Sequence, residues 1–282
     1  MNRKATGAIT RNVHNRFLVH RRKHHEPSQS PRTASMDKAM LDASETQGVN
    51  TSGLDTSGLA ADCARNAPLF AGLPANAQRE IAAKASERSF SQQQPIFRED
   101  DNIRYVHIVY SGAVKSTRLT EAGSEVILRV DGAYAPIDDM CSSSTKTYST
   151  NAIAISDCCI LTWLAHEFRE LTQKFPAIRR NATRIMQRRL ASLETSYCDL
   201  CTARVPQRLA RVLLQFGGDI ATQHGVVGFS RQELAQMAGT SPFMISRLLS
   251  AWAERGIVSV NRSKVTIGDE ASLTRLAEGR FI

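Results

Sequence analysis

Between residues 88 and 165 apolar positions come in short runs broken by turn residues. The runs are Pro95-Ile96-Phe97, Val106–Tyr110, Ser111–Val114, Glu125–Leu128 and Ile153–Leu164, punctuated by Gly112, Gly123 and Gly132. Many short strands separated by turns predict an all-β barrel or roll. Near Pro176 the period changes. Met186, Leu190, Leu193, Tyr197 and Leu200 repeat at intervals of 4-3-4-3, the a/d seam of a coiled coil on one long helix. The flanking Arg179, Arg180, Arg184, Arg188 and Arg189 are expected in solvent. The seam could instead pack on the β-roll, but a parallel homodimer is favoured.

The last eighty residues are punctuated more sharply. Ser230-Arg231-Gln232-Glu233 is a capping box, a hydroxyl and a carboxylate three residues apart that satisfy the first free amides of a helix. That helix runs through Met237-Ala238 and is ended by Gly239, which tolerates the left-handed conformation. Ser241-Pro242 starts a second helix, with Ser as N-cap and Pro at its first position. Its apolar face is Ile245, Leu248, Leu249 and Trp252, and Gly256 closes it. Ala235, Gly239 and Ile245 fall where a helix-turn-helix needs a small residue, a turn glycine and a buried aliphatic. Ile257–Val260 and Val265–Ile267 then flank the polar turn Asn261–Lys264, a β-hairpin. Helix-turn-helix plus hairpin makes a winged helix.

That assignment gives roles to side chains. The start of the second helix enters the major groove, so Phe243, Met244, Ser246 and Arg247 are the candidate base readers. Arg247 suits guanine, because a guanidinium bonds O6 and N7 together, while Phe243 or Met244 can meet a thymine methyl. Ser230, Arg231 and Ser241 at helix starts, and Arg262 and Lys264 on the wing, are candidate phosphate contacts. Double-stranded DNA is the expected partner.

Charge supports part of this. The 282 residues carry 36 Lys+Arg against 27 Asp+Glu, a formal +9. Residues 1–50 hold nine basic and four acidic side chains, residues 51–202 seventeen of each, and residues 203–282 ten and six. The middle is neutral and the two ends carry the excess. The first fifty residues are polar and without period, which predicts a disordered basic tail. Its stretch Arg11–His25 contains His14, His20, His24 and His25 but no acid. A solvated tail is the plain reading and a non-specific DNA-contacting arm the sharper one. No metal is expected, since the histidine spacing does not assemble ligands. No stretch approaches the ~18 apolar residues of a membrane helix. Six irregularly spaced cysteines do not make a secreted disulfide scaffold. The expectation is a cytoplasmic protein without membrane contact.

The runs Phe229–Ala235, Gly239–Ser241 and Ile245–Leu249 resemble the winged helix of the Crp/Fnr transcription regulators. Ile245–Trp252 is most similar to the Fnr-type branch. There a Glu, a Ser and an Arg at E-x-x-S-R spacing read a TTGA-like half-site. Ser246 and Arg247 match the last two, while Phe243 stands at the Glu position and removes an acceptor for cytosine N4. The resemblance spans roughly residues 62–280, with Ala67–Leu73 similar to the family's helical entry. It implies an α+β fold. A disordered tail occupies 1–58, a cyclic-nucleotide-binding-like β-roll sensor domain 59–175, a dimerisation helix 176–203 and a winged helix-turn-helix 204–282. It also implies a homodimer on a two-fold symmetric operator, and RNA polymerase as a further partner.

The signal is less legible. Cyclic-nucleotide members carry a Gly-Glu pair and then an Arg-Ser for the cyclic phosphate. The stretch here is Pro136-Ile137-Asp138-Asp139-Met140, followed by Tyr148-Ser149. Asp138 or Asp139 could replace the Glu, but Tyr148 stands where the Arg would be, which disfavours a cyclic nucleotide. The cysteine cluster of iron–sulfur members is missing before Cys63, which disfavours that cofactor too. Haem stays open, with His107 and His166 the sensor's histidines. Cys198-Asp199-Leu200-Cys201 is a C-x-x-C on the dimer helix, a candidate redox pair whose thiols are expected to face differently. A haem- or thiol-based redox or gas sensor with secondary DNA contact is the competing reading. No catalytic residues are assigned, because the strands lack the paired His-x-His and carboxylate ligands of a cupin-like enzyme.

Overall fold

The computed structural model describes residues 56–121, 123–137, 146–219, 226–261 and 264–280. The tail with its histidines, Asp138, Asp139, Met140 and Arg262 lie outside the described residues. Helix α1 (Thr56–Asn66), a 3-10 turn (Pro68–Phe70) and α2 (Ala75–Ala83) lead into seven strands. Helix α1 begins at Thr56, inside the segment 1–58 read as tail, and the residues before it lie outside the described ones.

The strands are β1 (Ser86–Phe90), β2 (Pro95–Phe97), β3 (Tyr105–Ser111), β4 (Val114–Leu119), β5 (Glu125–Asp131), β6 (Asn151–Ala154) and β7 (Cys158–Leu164). They form two antiparallel sheets, ordered β1-β7-β3 and β2-β6-β4-β5. The run Ile153–Leu164 divides between them. Its first part pairs with β4 and its second with β3, separated by a turn at Ser156-Asp157. Gly112 makes this possible: its φ is +88°, and a Cβ there would sit 2.5 Å from Asp157 O and 2.7 Å from Cys158 Sγ.

Alternation along β7 builds two cores. Cys158 and Ile160 face the interior of the roll, with Phe97, Val109, Val114, Ile137, Tyr148, Ala152 and Ala154. Leu161 and Trp163 face the other way, onto Leu69, Phe70, Ile81, Phe168, Leu171 and Ile178 of the surrounding helices. Trp163 Nε1 donates to Ile81 O at 2.8 Å, satisfying the polar edge of a fully buried ring.

Helix α3 (Ala165–Lys174) turns into α4 (Pro176–Thr202), whose first half is anchored. Asn181 Nδ2 donates to Leu69 O and Ala71 O, and Ile178 and Ala182 are buried. Further along, the expected seam stands in the open. Leu190, Leu193, Tyr197 and Leu200 are 52–67% exposed and Met186 37%, so the seam does not pack on the roll.

One expectation about this helix is wrong. Arg189 is not solvated: its Nη2 lies 3.3 Å from Asp131 Oδ1 at the end of β5 and also donates to Pro136 O. Asp131 also holds Arg129 at 2.7 Å. A guanidinium six or seven atoms from its backbone reaches an inward target that helical spacing does not reveal.

The C-terminal part runs α5 (Val205–Asp219), β8 (Val226–Val227), α6 (Arg231–Ala238), α7 (Pro242–Glu254), β9 (Val258–Asn261), β10 (Lys264–Ile267) and α8 (Glu270–Ala277). The expected hairpin is present and gains β8 as a third strand, in the order β8-β10-β9. Leu209, Leu213 and Phe216 of α5, Leu234 of α6, Ile245, Leu249 and Trp252 of α7, and Leu273 and Leu276 of α8 share one core.

Candidate DNA-reading interface

The start of α6 is closed as its sequence requires. Ser230 Oγ accepts from Glu233 N at 3.2 Å, and Glu233 Oε2 accepts from Ser230 N at 2.9 Å. Gly239 ends the helix at φ +60°, ψ 50°, and Thr240 N bonds Ala235 O at 2.9 Å. Ser241 Oγ then accepts from Met244 N at 3.3 Å, with Pro242 at the first position of α7. Ser230→Ala is expected to cost about 1 kcal/mol. Calorimetry of the full chain should show its melting temperature fall by about 2–4 °C.

These caps aim α7. Its inner face, Ile245, Leu249 and Trp252, is buried, which turns the opposite face to solvent. Phe243 is 76% exposed, the most exposed of the large apolar side chains described. Arg247, four residues on and so on the same face, is exposed and makes no ion pair among the described residues. Met244 and Ser246 are half-buried beside them. Ser246 Oγ donates to Pro242 O at 3.0 Å, which leaves its lone pairs free to accept. Ser230, Arg231, Ser241 and Lys264 are all exposed.

Two arginines that sequence reasoning missed brace this unit to the end of α4. Arg208 donates to Ala203 O at 2.6 Å, Ala238 O at 2.7 Å and Gly239 O at 3.1 Å. It thereby joins the α4–α5 connection to the turn of the helix-turn-helix. Arg211 pairs with Asp199 and donates to Ala277 O at 3.1 Å, tying α4 to α8.

A third contact comes from the roll. Lys115 of β4, almost wholly buried, places Nζ 3.2 Å from Glu233 Oε1 and 3.3 Å from Glu125 Oε2. Burial raises the Glu233 carboxyl. The hydrogen bonds from Ser230 and the Lys115 ammonium outweigh it and hold the group below its usual value. Gln236 Nε2 donates to Glu125 O at 3.0 Å. The only local signal for Lys115 was a lysine in a short strand, which ordinarily means a solvated face.

The sensor candidates are scattered. His107 is buried, its ring 5.3 Å from that of Phe97 and 6.1 Å from that of Tyr148, whereas His166 is exposed on α3. Tyr148 stacks on Phe97 at 3.8 Å and donates to Tyr105 O at 2.9 Å. Among the described residues no three His, Cys, Asp or Glu side chains form a metal site. Burial pushes the thiols of Cys63 and Cys159 up to about 12 and raises that of Cys158, so these are protonated and weakly nucleophilic. Cys198 and Cys201 are free and exposed. Three residues apart on a helix, they lie on neighbouring positions of one side, not on different faces. No helix among the described residues is long and apolar enough to cross a membrane.

A winged helix with an open reading face, carried behind a β-roll and a long helix, defines a regulator that binds DNA. Comparison with known proteins places it. Residues 207–276 match the Crp-like helix-turn-helix domain and residues 87–175 the cyclic nucleotide-binding domain. The cyclic AMP receptor protein of Thermus thermophilus is 28% identical over 219 residues, covering 76% of this chain and 99% of that one. The transcriptional activator protein anr of Pseudomonas aeruginosa is 24% identical over 201 residues, 69% and 81% of the two chains. The solved structure of FixK2 from Bradyrhizobium japonicum superposes with a TM-score of 0.61 at 22% identity, covering 68% of this chain and 96% of that one. That likeness bears on the fold alone. The chain belongs to the Crp/Fnr family of transcription regulators.

Proposed function

We propose that two copies of this chain, joined along α4, bind a two-fold symmetric operator with one α7 in each of two successive major grooves. The carrying observation is the exposed face of α7, where Arg247 and Phe243 lie one turn apart over a fully buried inner face. Arg247 bonds guanine O6 and N7, Ser246 accepts from a neighbouring base or phosphate, and Phe243 and Met244 contact thymine methyls. Ser230, Arg231, Ser241, Arg262 and Lys264 hold phosphates and set the register.

The exposed stripe Met186, Leu190, Leu193, Tyr197, Leu200 supports the dimer, because a seam at heptad spacing is covered by its own copy. RNA polymerase is the further partner this reading implies. For the signal, we favour something other than a cyclic nucleotide. Tyr148 supports that reading, since its ring is stacked inward on Phe97 and its hydroxyl is bonded to the backbone. A cyclic phosphate needs a cation there. The chain's own residues do no chemistry in this reading; they bind and orient.

Selection of bound duplexes from a random DNA pool by the full chain tests the proposal. The expected product is an inverted repeat with half-site centres one helical turn apart and an invariant guanine in each half. Enrichment of asymmetric or unrelated sequences would overturn it. Repeating the selection under oxygen, nitric oxide and reductant, beside an absorption spectrum, separates it from the haem or thiol reading.

A further inference from the structure

The ion pair by which the sensor sheet meets the DNA reader centres on a buried ammonium. Lys115 is 5% exposed and lies between two carboxylates, Glu125 of its own hairpin and Glu233 of α6. Around it the two parts share apolar packing, since Ala113 and Ile155 of the roll belong to the same buried cluster as Leu234, Ala235 and Ala238. Gln236 adds a hydrogen bond to the Glu125 carbonyl, while its own Oε1 is buried and unbonded. The same hairpin is also fastened to the dimer helix, through Asp131, one register step from Lys115, and Arg189. One β-hairpin therefore touches both the helix that joins two copies and the helix that precedes the reading helix. The docked side of α6 leaves Phe243 and Arg247 uncovered.

We infer that Lys115 is a positioning residue for operator binding: acting through Glu233, it holds α6 on the β4–β5 hairpin and fixes the orientation of the reading helix relative to the dimer axis. Removing the ammonium leaves the Glu125 and Glu233 carboxylates facing each other without a cation, and the docked face separates. Each reader then still recognises its half-site. What is lost is the pre-set geometry that lets two readers engage together, which raises the effective concentration of the second. The inference rests on the proposed operator reading but predicts a different observable.

The experiment compares Lys115→Met, Lys115→Arg and Glu233→Gln with the parent on a full palindromic site and on an isolated half-site. Glu233→Gln is informative because glutamine still completes the capping box while removing the charge that Lys115 needs. Lys115→Met and Glu233→Gln should each lose about tenfold or more on the full site with half-site affinity unchanged. Lys115→Arg, which keeps a cation, should recover most of it. Hydrogen exchange should rise at residues 231–238 and 125–131 in the two weakened variants only. Equal losses on full and half sites would mean a merely structural lysine, and unchanged affinity or a gain would mean that docking does not favour binding; either overturns the inference. If the parent itself prefers no palindrome, the operator reading fails instead.

Discussion

Replacing Arg247 with alanine will abolish the preference for the operator and leave weak, salt-dependent binding to any duplex. A bidentate guanidinium–guanine contact is worth about 1–3 kcal/mol of discrimination. A dimer makes it twice, at sites far enough apart to add, so specific affinity should fall about 30-fold to 10⁴-fold. The proposed phosphate contacts from Ser230, Arg231, Ser241 and Lys264 are untouched, so the salt dependence of non-specific binding should stay as it was. Anisotropy titrations with operator and scrambled duplexes at three salt concentrations measure both. Arg247 is exposed and without an ion pair among the described residues, so thermal stability should barely move. Unchanged discrimination would remove α7 as the reading helix.

The second large effect belongs to the seam. Leu193→Asp should convert the protein to monomers at micromolar concentration and reduce operator binding to the half-site level. In the protomer Leu193 is 57% exposed, so the substitution costs little there, and circular dichroism and the melting temperature should be preserved. In the dimer it removes the burial of two leucines, about 1.5–3 kcal/mol each. It also brings two carboxylates together in a desolvated seam, a larger penalty. Sedimentation velocity beside the operator titration reads both consequences. A variant that still sediments as a dimer would place the dimer contact elsewhere.

Local features were the legible ones. The capping box at Ser230, the left-handed Gly239 and the Ser241-Pro242 start are decided by neighbours within four residues, and all three form as read. The open seam of α4 was legible for the same reason, since exposure of a heptad stripe needs no partner in the protomer. The roll was legible as a kind of architecture but not strand by strand. Ile153–Leu164 reads as one apolar run, yet its two halves join different sheets because Gly112 lets the chain pass close to Asp157 and Cys158.

Long polar side chains hid most. Lys115, Arg189, Arg208 and Arg211 look like solvated charge along the chain. Each has a partner at a sequence distance of 118, 58, 30 or 66 residues, which no short-range pattern encodes. Helix α5 could have been found from Leu209, Leu213 and Phe216, which follow helical spacing. Helix α8 could have been found from the Asp269 cap, whose Oδ1 accepts from Ser272 N at 3.0 Å.

The braces made by Arg208 and Arg211 have a mechanical consequence. They clamp the winged helix to the end of a 27-residue helix, so the two turn together as a pointer on a shaft. The part beyond Arg189, the last residue held by the roll, is about 20 Å long at 1.5 Å per residue, and tilting it by about 10° swings its tip by roughly 3.4 Å. One base-pair step along DNA is about 3.4 Å. A tilt of about ten degrees beyond the anchored half is therefore enough to put the two pointers out of step by a whole base pair, with no hinge to unfold.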